Sequence, residues 1–406
     1  MSLRELNGSG VTAPKGFVAG VAMAGIKKPG VYDLTIVHST ADAAFAGVFT
    51  VNKVKAAPVV LSQAHLAICS GRGRAAVFNS GCANACTGDQ GMEDAKQMAV
   101  ATGKALGCAG EEVLVASTGV IGAYLPMDKV LAGISTAASG MDAKNGALAA
   151  QAIMTTDLAP KEVAVEVDID GHVVTLGAMA KGSGMIHPNM GTLLAMVTSD
   201  CAIEPGLLQE LLAEVCDDTF NMVTIDGDMS TNDCLFAFAN GLASNPLLRE
   251  KTDPGYGAFK EGLMHVCRHL AQLIAKDGEG ATKFIEVAVE GAKTRGDARL
   301  AARAVVSSSL VKAAIYGKDA NWGRVLCAMG YSGADFDPGL VDLFLGDLQM
   351  MGEGRALIFD EAKALDYLDR KDIRIVAKLH QGQEGAVAWG CDLTHDYVTI
   401  NASYRS

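Results

Sequence analysis

The segment Lys181-Gly-Ser-Gly-Met-Ile-His-Pro-Asn-Met-Gly-Thr192 sets a flexible glycine-rich loop, a turn-forming Pro188-Asn189 and a glycine directly before a threonine that opens a strand. That order of residues is compatible with self-cleavage. A threonine hydroxyl so placed can attack the carbonyl of the preceding residue, shifting the acyl group from nitrogen to oxygen, after which hydrolysis would leave Thr192 as a new N-terminus. Its freed α-amine titrates near ~7.7–8.0, close enough to working pH to act as general base for its own hydroxyl. Gly-Thr at a strand start is also common where no chemistry occurs, and by spacing alone a plain loop-to-strand junction is the stronger reading.

Other candidates are weaker. His265 and His269 stand four apart with Cys267 between them, a metal-ligand spacing, but no third ligand is near and the glutamate of a zinc-protease helix is missing. They read as two surface or half-buried histidines. Cys82 and Cys86 share that spacing and read as small core residues. Gly278-Glu-Gly-Ala-Thr-Lys283 resembles a phosphate loop without its defining spacing, and no Gly-x-Ser-x-Gly elbow occurs. The residues call for no metal and no cofactor.

The elements that must carry these residues alternate in type. Residues 163–180 read as a hairpin about an Asp170-Gly171 turn, with Val163, Val165, Val167 and Ile169 alternating inward. Leu193 to Val197 is a short apolar strand, and Glu204 to Phe220 carries leucines at helical spacing. Further helices are expected over Tyr256 to Ala275 and, as one long unit, Asp297 to Tyr316, with a strand at Phe284 to Val289 between them. Gly81 to Gly107 is helix-compatible, and Ile373 to Leu379, Ala386 to Trp389 and Tyr397 to Ile400 look like three closing strands. Strands with helices between them imply an α/β sandwich. No repeat or low-complexity tract appears, and composition marks no domain boundary.

Bulk properties narrow the function. A chain of 406 residues with 34 Lys+Arg against 46 Asp+Glu carries a net charge of −12, a field that repels phosphate backbones and anionic membrane surfaces. Neither nucleic acid nor a membrane is an expected partner, and no stretch approaches the ~18 apolar residues of a membrane span. Gly16 to Ile26 is small and apolar, but Glu5 before it and Lys27-Lys28 after it are the wrong flanks for a secretion signal. Ten scattered cysteines without a CxxC suggest reduced thiols in a cytoplasmic enzyme.

Six segments together resemble the ornithine acetyltransferase family, also called glutamate N-acetyltransferases. They are Asn79-Ser-Gly-Cys-Ala-Asn-Ala-Cys-Thr-Gly88, Ser117-Thr-Gly-Val-Ile-Gly122, Met154-Thr-Thr-Asp157, Lys181 to Thr192, Asp226-Gly-Asp-Met-Ser-Thr-Asn-Asp233 and Lys318-Asp-Ala-Asn-Trp-Gly-Arg324. They occur in register along nearly the whole chain, from Gly16-Phe17 to the C-terminal Ile-Asn-Ala-Ser-Tyr-Arg-Ser.

The resemblance implies an N-terminal-nucleophile-like α/β sandwich of sheets and helices with a smaller α+β C-terminal domain. It implies a precursor of arginine biosynthesis that cuts itself between Gly191 and Thr192 into an α chain, 1–191, and a β chain, 192–406, which associate as a heterotetramer of two α and two β chains. Thr192 is then the nucleophile. It takes acetyl from N-acetylornithine, releasing ornithine, and passes it to glutamate; some members also accept acetyl-CoA.

By the same match Thr118 and Gly119 supply the oxyanion donors, and Thr155, Lys181, Thr192, Glu279, Asn401 and Ser406 bind substrate, with Thr156 a near substitute for Thr155. Charge alone pairs Lys181 with a substrate carboxylate and Glu279 with an ammonium; without the resemblance both read as solvated loop charges. The sequence departs from the family in one place, carrying Gly191 where members usually have alanine. Two competing functions share the residues: an N-terminal-nucleophile amidohydrolase or aminopeptidase, and an uncleaved, non-catalytic amino-acid-binding protein.

Overall fold

The structure, a computed structural model, describes residues 3–6, 8, 10–187 and 193–403. In chain order its strands are β1 (Arg4–Glu5), β2 (Phe17–Ala22), β3 (Leu34–Phe49), β4 (Arg72–Cys82), β5 (Val113–Val120), β6 (Lys161–Ile169), β7 (His172–Lys181) and β8 (Leu194–Ser199). There follow β9 (Val223–Thr224), β10 (Cys234–Ala239), β11 (Phe284–Ala292), β12 (Asp342–Leu345), β13 (Leu348–Gly352), β14 (Arg355–Ala356), β15 (Asp372–Lys378) and β16 (Glu384–Cys391). Among the described residues they form two sheets. One has nine strands in the order β1-β6-β7-β8-β10-β3-β4-β5, with β2 paired to β3; the other has seven, ordered β14-β13-β12-β15-β11-β16-β9. The expected α/β sandwich of sheets and helices is borne out.

Helices α1 (Ala57–Ile68), α2 (Gly88–Leu106), α3 (Met127–Ser139), α4 (Gly146–Ala152), α5 (Pro205–Asp217), α6 (Tyr256–Lys276), α7 (Arg295–Ser307) and α8 (Ser309–Tyr316) cover the sheets. The period of two decides which face meets which helix. On β4 and β5, Ala75, Val77, Val113 and Val115 join Met98 of α2 and Ile134 of α3, while their neighbours Ala76, Phe78, Leu114 and Ala116 turn to the other face beside Met196 and Phe236. Phe45 stacks on Phe238 there, with ring centroids 3.5 Å apart. At the other end of the sheet Val165 and Leu176 share one core with Phe259, Leu263, Val266 and Leu270 of α6 and with Val287 and Ala388 of the second sheet. α6 therefore ties the two sheets into one hydrophobic unit.

The β6–β7 hairpin turns where expected, on Asp170 and Gly171, both at positive φ (53° and 82°) as a tight hairpin turn requires. Elsewhere local pattern was overruled. The long helix expected from Asp297 to Tyr316 breaks at Ser308, whose φ of −68° and ψ of 114° are extended and whose hydroxyl accepts the Val311 N–H to start α8. Residues 81–87 are strand end and loop, and the helix begins only at Gly88, closing on left-handed Gly107. Cys82 is buried as expected, but Cys86 is exposed at a φ of 59° and is not a core residue.

Tyr397 to Ile400 is not a strand but part of the helix His395–Ser403. Its β-branched run reads as β; the Thr394 hydroxyl decides otherwise, accepting the Tyr397 N–H while donating to the Gly280 carbonyl. All ten cysteines are free. His265 pairs with Glu5 at 2.7 Å, and among the described residues no cluster of three or more potential metal ligands occurs. No described helix is long and apolar enough to cross a membrane.

Candidate active site

Strands β4 and β5 run parallel and in register through Gly81↔Gly119, and the register then shifts at Cys82, so that Thr118 and Gly119 sit in the irregular C-terminal end of the ladder. Three buried side chains hold that end. Ser117 donates to Asn79 Oδ1 at 2.6 Å, Asn79 Nδ2 donates to the Cys82 carbonyl, and Asn232 Nδ2 bridges the Ala83 and Ser117 carbonyls at 2.6 and 2.8 Å. Gly119 has a φ of 130°, and a Cβ there would lie 2.3 Å from the Gly81 carbonyl carbon, so only glycine fits. The Thr118 hydroxyl is half-buried and has no hydrogen-bond partner among the described residues. A donor with nothing to bind is available to an anionic oxygen.

Thr118 and Gly119 line a pocket of about 240 Å³ together with Thr155, Thr156, Lys181, Glu279 and Asn401. Every described residue expected to act on substrate is thus brought to one cavity, and both threonines of the ambiguous pair reach it. Gly191, Thr192 and Ser406 lie outside the described residues. Leu193 and Leu194, which follow directly in sequence, line the same pocket.

The two charges expected in loops are in fact buried. Lys181, at the end of β7, is 8% exposed and its ammonium has no ion pair within the described residues. Burial lowers its pKa, against the raising influence of Asp157, Asp233 and Glu279. Glu279 is also 8% exposed; its carboxylate accepts from Asn401 Nδ2 at 2.8 Å. Gly184 makes room for it, since a Cβ there would sit 2.3 Å from Glu279 Oε2. An unpaired buried cation and a buried carboxylate facing one cavity suit a small molecule bearing both charges.

Sequence reasoning missed what supports Lys181. Lys161 is 2% exposed and bridges Asp157 at 2.7 Å and Asp277 at 2.5 Å. Burial alone would raise the Asp157 pKa, but the Lys181 and Lys161 ammoniums and the Gly182 N–H override it and hold the carboxyl at about 2. Asp157 closes one of the family-like motifs and Lys161 follows it by four residues, so the pair was visible in sequence without a sign that it was buried.

The loop itself is not free. Gly182 N–H donates to Asp157, Ser183 donates to the Asp277 carbonyl and accepts the Glu279 N–H through its own carbonyl, and the Met185 and Ile186 N–H groups both donate to Asp226, at 2.6 and 2.9 Å. Tyr397 of the C-terminal helix donates its hydroxyl to Asp226 as well. His187 bonds Thr224 and Arg303, and burial with the Arg303 charge lowers its pKa. The flexible loop read from its glycines is therefore anchored at least to residue 187, because the buried Asp157 and the half-buried Asp226 take up its backbone donors.

Taken together, an α/β protein of two sheets carries, at the start of β8, a partly open polar pocket lined by a buried cation and a buried carboxylate. The chain belongs to the ArgJ family, whose profile matches residues 18–406. Its relatives include the arginine biosynthesis bifunctional protein ArgJ of Symbiobacterium thermophilum, 57% identical over 402 residues and 98% of each chain. The protein of that name from Caldanaerobacter subterraneus subsp. tengcongensis is 49% identical over 400 residues, again 98% of each chain. Among solved structures, the arginine biosynthesis bifunctional protein ArgJ of Bacillus halodurans matches at 45% identity and a TM-score of 0.50, covering 52% of this chain and 98% of its own. The family resemblance read from the six motifs is borne out.

Proposed function

We propose that this protein is an acetyltransferase of arginine biosynthesis that moves acetyl from N-acetylornithine to glutamate through an ester on Thr192. The observation that carries the reading is the convergence of Thr118, Gly119, Thr155, Lys181, Glu279 and Asn401 on the pocket where residue 193 begins the β8 segment. An ester intermediate splits one difficult amide transfer into two easier steps. Thr118 and Gly119 stabilise the oxyanion, Lys181 receives a substrate carboxylate, and Glu279 with Asn401 receives the ammonium that distinguishes ornithine. Ser406 completes the binding set. The bifunctional relatives fit a second donor, acetyl-CoA, making N-acetylglutamate directly.

Thr192 becomes reactive by self-cleavage after Gly191, giving chains 1–191 and 192–406 that stay together as two α and two β chains. The setting is cytoplasmic in this reading, a compartment that keeps ten free cysteines reduced.

The test uses purified protein with acetylornithine plus glutamate, then acetyl-CoA plus glutamate. Parallel double-reciprocal lines are expected for the first pair. Acetylornithine alone should add about 42 Da, one acetyl group, to the fragment that starts at Thr192, and glutamate should remove it. Intersecting lines, or an adduct that water clears as fast as glutamate does, defeat the reading.

A further inference from the structure

Thr155 and Thr156 reach the pocket from residues 153–160, a stretch between α4 and β6 that is neither helix nor strand. Backbone outside a ladder keeps its place through side-chain partners. The Met154–Thr155 peptide unit has one at each end: its carbonyl oxygen accepts from the Lys27 ammonium at 2.5 Å, and its N–H donates to Asp157 Oδ2 at 3.0 Å. A cation thus meets the negative end of the peptide dipole and a carboxylate the positive end. Hydrogen bonds to charged groups are roughly twice as strong as neutral ones, so this peptide plane is held more firmly than its irregular backbone implies.

Lys27 is itself fixed. Its backbone N–H and those of Ala24 and Ile26 donate to the fully buried Asp33 carboxylate at 3.1, 2.7 and 2.6 Å, and the Asp33 carbonyl accepts the Ser80 N–H at 2.9 Å. The ammonium also reaches the Tyr32 carbonyl, at 3.5 Å. Its stem lies over Gly81, where a Cβ would sit 2.7 Å from Lys27 Cγ, and Gly81 in turn lies against Gly119. One side chain therefore braces Thr155 from behind while its stem covers the glycine that backs the Thr118-Gly119 turn.

We propose that Lys27 is a positioning residue of the acetyl-transfer site, its ammonium fixing the Met154–Thr155 peptide and with it the side chain that Thr155 presents to substrate. The inference rests on the pocket being the substrate site of the proposed function. Lys27 stands behind the residues that line the cavity and acts through Thr155.

An ammonium half-buried against carbonyls is costly where a solvated one is not. Burial accordingly lowers the Lys27 pKa to about 8; among the charges around it Asp33 and Asp157 raise the value, and Lys181 and Lys28 lower it further. That cost is incurred at the one carbonyl that adjoins Thr155.

The experiment compares wild type, Lys27→Met and Lys27→Arg by steady-state kinetics with acetylornithine and glutamate, by calorimetric binding of ornithine and by melting. Lys27→Met keeps the stem over Gly81 and removes only the donor. KM for acetylornithine and Kd for ornithine should both rise roughly 10-fold, with kcat within about threefold of wild type and melting unchanged. Lys27→Arg, which keeps a charged donor, should recover most of the affinity. Lys27→Met with wild-type KM and Kd, or with kcat falling while KM holds, overturns the inference and leaves the proposed function standing. Wild type that neither binds ornithine nor transfers acetyl overturns the proposed function, and this inference with it.

Should Lys27→Met fail to fold, pH decides. Wild-type KM should rise through about 8 as the ammonium gives up its proton, while Lys27→Arg, charged throughout, stays level. Profiles that are both level, or that rise alike, reject the positioning role.

Discussion

Asn401 donates its side-chain amide to Glu279 Oε2 at 2.8 Å across 122 residues of sequence, tying the C-terminal helix to the one pocket carboxylate that lies against Gly184. The amide keeps Glu279 oriented for an ammonium. Asn401→Ala should leave kcat near wild type and raise KM for acetylornithine roughly 10-fold, the worth of one hydrogen bond to a charged group in a partly open setting. Steady-state kinetics decide it; an equal fall in kcat with KM unchanged would move Asn401 from binding to catalysis.

Two glycines at the pocket should respond differently to the same substitution. In Gly119→Ala the new methyl meets backbone, 2.3 Å from Gly81 C and 2.6 Å from Cys82 N, at a φ of 130°. The β4–β5 end must then rearrange, and a loss of about 3 kcal/mol or more is expected in denaturant titration. Gly184→Ala instead meets only the end of the Glu279 side chain, so the fold should melt near the wild-type temperature while substrate affinity drops. Equal melting losses in both would contradict this contrast.

Thr118 carries a hydroxyl that nothing in the described structure occupies. Thr118→Ala should lower kcat by ~10²–10³ with little change in KM, as for removal of other oxyanion donors. An unchanged kcat removes Thr118 from the transition state.

The buried Asp157 makes acid sensitivity predictable. Its pKa is about 2 in the fold against an ordinary 3.8, so the folded state favours the ionised form. Its contribution is complete above the ordinary value and is lost as pH falls through about 2, and it amounts to about 2 kcal/mol. Denaturation curves over a pH series should show that loss. In Asp157→Asn this acid-dependent component should vanish, and stability near neutrality should fall by about 3–5 kcal/mol because Lys161 loses a buried partner. A variant as stable as wild type at neutral pH would show that Asp277 alone satisfies Lys161.

By itself the sequence determined what is local or recurrent. The β6–β7 hairpin follows from strict alternation closed by Asp170-Gly171, and α6 from its apolar stripe. The motifs in order supplied the family, and with it the identities of Thr118, Lys181, Glu279 and Asn401. Periodicity measures only neighbours along the chain, so it mistook Tyr397 to Ile400 for a strand and could not foresee Thr394 reaching Gly280. It could not say that Lys181 and Glu279 are buried, since a loop charge and a pocket charge look alike until strands from distant parts of the chain close around them. The bonds from Lys161 to Asp277, from Met185 and Ile186 to Asp226, and the register that sets Asp233 beside Leu193 all join residues tens of positions apart. Tertiary packing decided these: desolvation makes each buried donor find an acceptor, and which one it finds depends on the sheet order rather than on sequence spacing.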